Sequence, residues 1–340
     1  MSEKNIMDKV SDIIILGGGP VGLYGAFYSG IRSMSCKIID SLPELGGQLT
    51  ALYPKKYVYD VPGFTKVLAR DLAKQLIQQA TQFDAEICLN EKVMKLEYET
   101  DESKTLKLTA HNGSVHRGRS IIIAAGAGAF LPRKLDVHNM DELEGHGLYY
   151  TVKDPDQFKD KDLIIIGGGD SAIDWALGLE PIAKNITLIH RSDRFRAHEY
   201  SVHNLFDSKV SVLTHHELKA LHGEDHVEGV TIFDNVTGEE KDFKLDTVLC
   251  NLGFMTNLGP IKEWGFELDK NTIHVTQTMN TNLDRVWAAG DIVDYPGKLK
   301  LISTGFAEAA IAVNMAKHTI EPNAKLFPGH SSSKKNTFKF

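Results

Sequence analysis

Gly17, Gly19 and Gly22 stand at G-x-G-x-x-G spacing directly after the apolar run Ile13-Ile14-Ile15-Leu16 and ahead of a stretch with helical periodicity. Gly167, Gly169 and Ala172 repeat the pattern after Leu163-Ile164-Ile165-Ile166, and the two units align without a gap at an offset of 150 residues. A buried strand, a glycine turn and a helix together make a seat for a pyrophosphate. The first Gly permits the tight turn, the second lets backbone approach the anion, and the third position lets helix lie close on strand. Unpaired N–H groups at the helix start, at Ser171 in the second unit, then face the negative charge. One such motif could be a structural turn, whereas two in register point to two dinucleotide sites.

The strands that end each unit differ in a way that separates the two ligands. Asp40 closes the first, a carboxylate suited to a ribose 2'-hydroxyl and repulsive to a 2'-phosphate. His190 holds the aligned place in the second and is followed by Arg191, Arg194 and Arg196, a basic group suited to a 2'-phosphate. The first site therefore expects FAD or NAD and the second NADP. A third segment, TNLDRVWAAGD at 281–291, ends in Ala289-Gly290-Asp291 and precedes a long helical stretch at 300–318. Its Asp291 and the helix opening at Ser303-Thr304-Gly305 suit a flavin, which selects FAD for the first site.

These residues need an α/β fold of two Rossmann-like dinucleotide-binding domains. If the segment around Asp291 completes the first site, both ends of the chain share one domain and the second is inserted in it. The expected boundaries are 1–120 with 283–340 for the FAD domain and 121–282 for the NADP domain, joined by two crossing strands that could act as a hinge. The segment 246–257 mirrors the strand-plus-glycine ending at 120–127.

With 340 residues, 42% hydrophobic and 24% charged, the chain has room for two domains and a large core, which excludes disorder and disulfide-stapled miniatures. The polar start MSEKNIMDKV lacks the apolar core of a signal peptide, and the longest apolar run, 121–131, is too short to span a membrane. A cytoplasmic protein with no membrane and no nucleic-acid partner is expected, the net charge of −7 arguing weakly against the latter. Cys36, Cys88 and Cys250 form no C-x-x-C pair, and no cluster with metal-ligand spacing occurs, so no metal is expected.

Across nearly its whole length the chain resembles the thioredoxin reductase family, through both glycine turns, Pro43-Glu44-Leu45-Gly46-Gly47-Gln48, His190 to Arg196 and Ala289-Gly290-Asp291. That family carries a C-x-x-C pair shortly before its second glycine motif, and here residues 89–249 contain no cysteine. A dithiol relay is impossible without paired thiols. Single-cysteine disulfide reductases would place Cys inside the first turn, where Val21 stands. The chain instead resembles the thioredoxin-reductase-like ferredoxin-NADP reductases, through Ala51-Leu52-Tyr53-Pro54, the run from Gly169 to Ala176, and Pro328-Gly329-His330-Ser331-Ser332.

The resemblance implies a homodimeric flavoenzyme that passes a hydride from NADPH to FAD and then single electrons to ferredoxin or flavodoxin. It implies that Asp40 binds the FAD ribose, Gln48 contacts FAD, Tyr53 stacks on one flavin face and Val93 meets the adenine through its backbone. Phe130 and Asp291 would complete the pocket, His330 would cover the other face, and Ser331 or Ser332 would bond the ring. Tyr53 and His330 are thus the catalytic residues by stacking, with no acid or base required. Where relatives read His-Arg-Arg, this chain has His190-Arg191-Ser192, so a weakened NADPH preference is expected, with Arg194 placed to compensate and Arg196 retained. A diaphorase or NAD(P)H oxidase acting on quinone or oxygen would show the same cofactor sites, as would a non-catalytic FAD- and NADP-holding redox sensor. Acidic carriers would need local basic patches, for which Lys55-Lys56 and Lys334-Lys335 are the candidates.

Overall fold

A computed structural model describes residues 10–99, 104–126, 128–135, 137–138, 140–152, 154–327 and 329–330, with backbone alone at 129–132 and 254–256. Ser331, Ser332, Lys334 and Lys335 lie outside the described residues, as does the side chain of Phe130.

Ile13–Leu16 is apolar at every position and buried at every position, the pattern of a strand covered on both faces. It sits at the centre of a five-stranded parallel sheet ordered Val286–Ala288, Ile121–Ile123, Ile13–Leu16, Cys36–Ile39, Glu86–Cys88. Register is fixed by pairs such as Ile14 with Ile121 and Ile13 with Cys36. The helices Pro20–Ile31 and Ile302–Ile320 pack together, and Gly25 allows this: a Cβ there would lie 3.2 Å from Ile15 Cδ1 and 3.8 Å from Ala309 Cβ. An antiparallel sheet, Val93–Tyr98, Leu106–Ala110 and Val115–Gly118, adjoins this core. Each Ile of the central strand contributes about 1.5–3 kcal/mol by leaving water.

A second five-stranded parallel sheet is ordered Leu148–Tyr149, Thr247–Cys250, Asp162–Ile166, Asn185–His190, Ser211–Thr214. Strand for strand it repeats the first, and it too is followed by an antiparallel trio, His216–His222, Gly229–Asp234 and Glu240–Lys244. In both sheets the strand order reverses beside the strand that feeds the glycine turn, which is where open α/β sheets bind ligands. The copies differ at one edge. Leu148–Tyr149 precedes its unit's glycine strand, whereas Val286–Ala288 reaches its sheet only after the chain has passed through the other unit.

The compact units are Met1–Ala129 with Thr256–Phe340, and Phe130–Met255. The expected insertion is present, but both boundaries move. Ile121–Ile123 is an inner strand of the first sheet and cannot open the second unit. Residues 256–282 also belong to the first unit, because Thr272–His274 pairs with Val293–Asp294 and Phe266, Ile273, Val275 and Met279 enter its core. The two passages, Ala129–Pro132 and Phe254–Asn257, pair as a short two-stranded sheet. Arg32 holds the chain after the last helix by donating to the Lys325 and Leu326 carbonyls at 2.7 and 3.2 Å. No helix among the described residues is long and apolar enough to cross a membrane.

Candidate functional site

The first glycine turn is built so tightly that side chains are excluded. Gly17 has φ +113°, and a Cβ there would meet the Ala124 carbonyl oxygen at 2.3 Å; a Cβ on Gly22 would meet the Gly17 oxygen at 1.8 Å. Gly19 is different, since the nearest atom to its Cβ position is Gly47 Cα at 3.8 Å. Gly19 caps the helix Pro20–Ile31 with no side chain satisfying the first-turn N–H groups. An open glycine ahead of an uncapped helix start is a fitting seat for a phosphate.

Asp40 is buried beneath this turn. Its carboxylate accepts the Gly18 N–H at 2.5 Å and the Leu42 N–H at 2.8 Å. Burial raises its pKa above the usual carboxylate value, although backbone N–H groups of Leu42, Gly18 and Ser41 pull the other way. Backbone N–H groups thus take up three of the roughly four acceptor positions of a carboxylate, leaving one for a hydroxyl donor. Gly46 and Gly47 are explained by the same turn: Gly46 donates to the Gly18 carbonyl at 2.8 Å, and a Cβ on Gly47 would stand 2.8 Å from Gly19 Cα. The short helix Gln48–Ala51 follows, with Gln48 Nε2 3.6 Å from the Cβ position of Gly126.

Tyr53 is largely buried, and burial, followed by the carboxylates of Asp291 and Asp60, pushes its hydroxyl up to about 12. It therefore stays a neutral aromatic, close enough to the Asp291 carboxylate to feel its charge. Asp291 follows Gly290, whose φ is +90°. The strand Val286–Ala288 delivers it, with Ala289 donating to the Ile123 carbonyl at 3.0 Å. Val93 starts its strand two residues beyond Glu91, whose N–H bonds the Asp40 carbonyl at 2.9 Å. Phe130 lies on Ala129–Pro132. His330 is exposed, its ring perpendicular to Phe327 at 5.3 Å; the described residues do not bring it to Tyr53.

The second turn repeats the first down to individual bonds. Gly167 donates to Ile189 O at 3.1 Å as Gly17 does to Ile39 O at 2.9 Å, and the Arg196 N–H reaches Gly168 O at 2.7 Å as Gly46 reaches Gly18 O. A Cβ on Gly167 would strike Asn251 O at 2.4 Å, while Gly169 has nothing within 4 Å and caps Asp170–Leu179 with no side-chain bond. Ser171 is exposed in that helix's first turn, and Arg191, Arg194 and Arg196 are exposed on the loop. His190 also has a packing part in the second turn. Its ring fills the space over Gly168, at 2.3 Å from a Cβ there, packs on Phe195 and approaches the Arg194 carbonyl with Nε2 at 3.2 Å. It supports the turn in the place Asp40 has in the first unit.

Two site features were invisible in the sequence. Asn251 Oδ1 is a buried acceptor beside the second turn with no hydrogen-bond partner among the described residues. Glu308 is a buried carboxylate bonded to Gly290. Both look ordinary in the sequence, one as a loop polar residue and one as a helix former. Outside the turns, Cys88, Glu91 and His116 bring ligand-type atoms within 4.8 Å of one another. Lys37 Nζ lies 3.4 Å from His116 Nδ1, however, and His116 Nε2 lies 2.7 Å from Glu91 Oε2. The ammonium can only donate, so Nδ1 accepts, Nε2 carries the proton given to Glu91, and both ring nitrogens are used. All three cysteines are free thiols; burial pushes Cys36 and Cys250 up to about 12.

Both turns have the open glycine and uncapped helix start of a phosphate seat. Residues 11–316 match the family described as pyridine nucleotide-disulphide oxidoreductase. The chain is 52% identical over 323 residues to ferredoxin-NADP reductase 2 of Shouchella clausii, covering 95% of this chain and 97% of that one. It is 50% identical over 326 residues to ferredoxin-NADP reductase 2 of Bacillus subtilis, covering 96% and 97%. Among solved structures, thioredoxin reductase of T. acidophilum shares the fold with a TM-score of 0.80 at 24% identity, over 93% of this chain and 100% of that one. This chain is a member of the pyridine nucleotide-disulphide oxidoreductase family, in the group whose curated relatives carry the name ferredoxin-NADP reductase.

Proposed function

We propose that the chain is an FAD-dependent ferredoxin-NADP reductase, with FAD on the unit built from both chain ends and NADP(H) on the inserted unit. The observation that carries this reading is the pair of matched, uncapped glycine turns in a chain whose three cysteines are all unpaired thiols. Two dinucleotide seats without a dithiol leave the flavin as the redox group. Bound FAD supplies the change from hydride to one-electron chemistry. The protein's part is to hold and orient. Gly17, Gly19 and Gly22 shape the pyrophosphate seat, Asp40 and Val93 face the adenosine end, and Gln48, Tyr53, Phe130 and Asp291 frame the ring. In the other unit Gly167, Gly169, Ser171 and Asn251 receive the nucleotide, and Arg191, Arg194 and Arg196 receive its 2'-phosphate. His330 with Ser331 or Ser332 covers the second flavin face. A homodimer in the cytoplasm, exchanging electrons with ferredoxin or flavodoxin, completes the reading.

The test is anaerobic titration of the FAD-loaded protein with NADPH and NADH, followed by ferredoxin, flavodoxin, quinone and oxygen in separate runs. Faster bleaching by NADPH and preferred turnover with ferredoxin or flavodoxin are expected. Preferred turnover with quinone or oxygen identifies a diaphorase or oxidase, and a flavin that NADPH fails to bleach identifies a sensor.

A further inference from the structure

Glu308 is 2% exposed, within a helix that otherwise buries Gly305, Ala309, Ala312, Val313 and Ala316. Its Oε2 accepts the Gly290 N–H at 2.7 Å, and its Oε1 accepts the Tyr295 hydroxyl at 2.6 Å and the Lys298 ammonium at 2.5 Å. Lys298 is itself buried, with 4% of its side chain exposed. Burying an ion pair carries a heavy desolvation cost, and apolar residues of similar volume would fill the same space without it. Stability alone therefore does not explain the arrangement. What its members share is position: all three partners belong to the segment 290–298 that begins at the Gly290-Asp291 turn.

The helix is seated against that turn as well as bonded to it. A Cβ on Gly305 would lie 2.4 Å from Val21 Cγ2 and 3.6 Å from Gly290 Cα, and Glu308 projects from the next helical position on the same side. Gly290 at φ +90° has no intrinsic preference that would hold its peptide in one orientation. The Glu308 bond supplies that constraint immediately before Asp291.

We infer that Glu308 is a positioning residue for the flavin site: by accepting the Gly290 N–H it fixes the direction in which Asp291 faces FAD, while Lys298 and Tyr295 supply the counter-charge and the second donor. The inference rests on the reading that this unit binds FAD through Asp291.

Two full-length apoproteins isolate the bond. Lys298→Met/Glu308→Gln removes the charges and keeps an oxygen for Gly290; Lys298→Met/Glu308→Met has nearly the same shape and lacks that oxygen. FAD dissociation constants, read by flavin fluorescence quenching, should stay within about threefold of wild type for the first and weaken by a further factor of about ten or more for the second, as expected for a stranded buried N–H. The same two variants in an Asp291→Ala background should differ far less, because the bond acts through Asp291. Should the Met variant not fold, Glu308→Ala with Lys298→Met replaces it. Equal FAD affinities of the first two variants, or a gap that persists undiminished without Asp291, overturn the inference. Wild-type protein that fails to bind FAD overturns the cofactor reading itself and the inference with it.

Discussion

Arg191 and Arg196 are exposed on a loop that the Gly168 carbonyl pins through the Arg196 N–H, so the two guanidinium groups are presented from a fixed backbone. A 2'-phosphate that engages either gains a charge-assisted bond, and losing one costs about tenfold in affinity. Arg191→Ala and Arg196→Ala should each raise KM for NADPH about tenfold and leave KM for NADH unchanged, as measured by initial rates with both nucleotides. The thiols make a separate case. Burial pushes Cys36 and Cys250 up to about 12, and raises half-buried Cys88 as well, burial again being the largest cause. Titration with a chromogenic disulfide reagent at pH 8 should find at most one reactive thiol in the folded protein, that of Cys88, and three in denaturant. Reductase activity should survive alkylation of the native protein, which a thiol mechanism would forbid.

The two glycine helices show how one motif is tuned by its neighbours. In the second unit Ala172 stands where the first has Gly22 and its methyl is fully buried there; in the first, a Cβ on Gly22 would be 1.8 Å from Gly17 O. Gly22→Ala should therefore destabilise by about 1–3 kcal/mol through forced displacement of the helix. Ala172→Gly should cost only about 1 kcal/mol through lost helix preference. Denaturant melts of the full chain measure both. At the start of the central strand, Asp12 accepts bonds from the Ser35 N–H and hydroxyl and from Arg119, which also donates to Ile320 O. Burial raises the Asp12 pKa, but those bonds outweigh it and the net shift is downward from 3.8. The ionised form is favoured by folding, so its stabilisation is present above 3.8 and is lost as pH falls through the folded pKa. Asp12→Asn should lower Tm at pH 7, with the deficit closing in acid; a deficit that grows on acidification contradicts the assignment.

Over the whole molecule, the 150-residue offset was legible because strand, turn and helix each leave a strong local pattern: Ile13-Ile14-Ile15-Leu16 is fully buried and Gly17 admits no side chain. Asp40 was legible in place but not in its bonds to the turn it supports. The boundary at Thr256 was hidden because Thr272–His274 declares its partner only through a pairing with Val293–Asp294. Glu308 and Asn251 were hidden because burial and lack of a partner are properties of packing. Charge also acts at this scale. With a net −7, an acidic carrier is repelled overall and must approach through a local basic patch. Lys55→Gln/Lys56→Gln should slow carrier association at low salt, and the difference from wild type should vanish at high salt, as followed by stopped-flow. The late return of Val286–Ala288 to the first sheet has a consequence for synthesis. The inserted unit, 130–255, is contiguous and can fold as soon as it leaves the ribosome. The first sheet waits with Ile121–Ile123 as an open, aggregation-prone edge until the C-terminal segment emerges. A nascent chain halted before Val286 therefore holds every residue of the inserted unit while the first sheet is still one strand short.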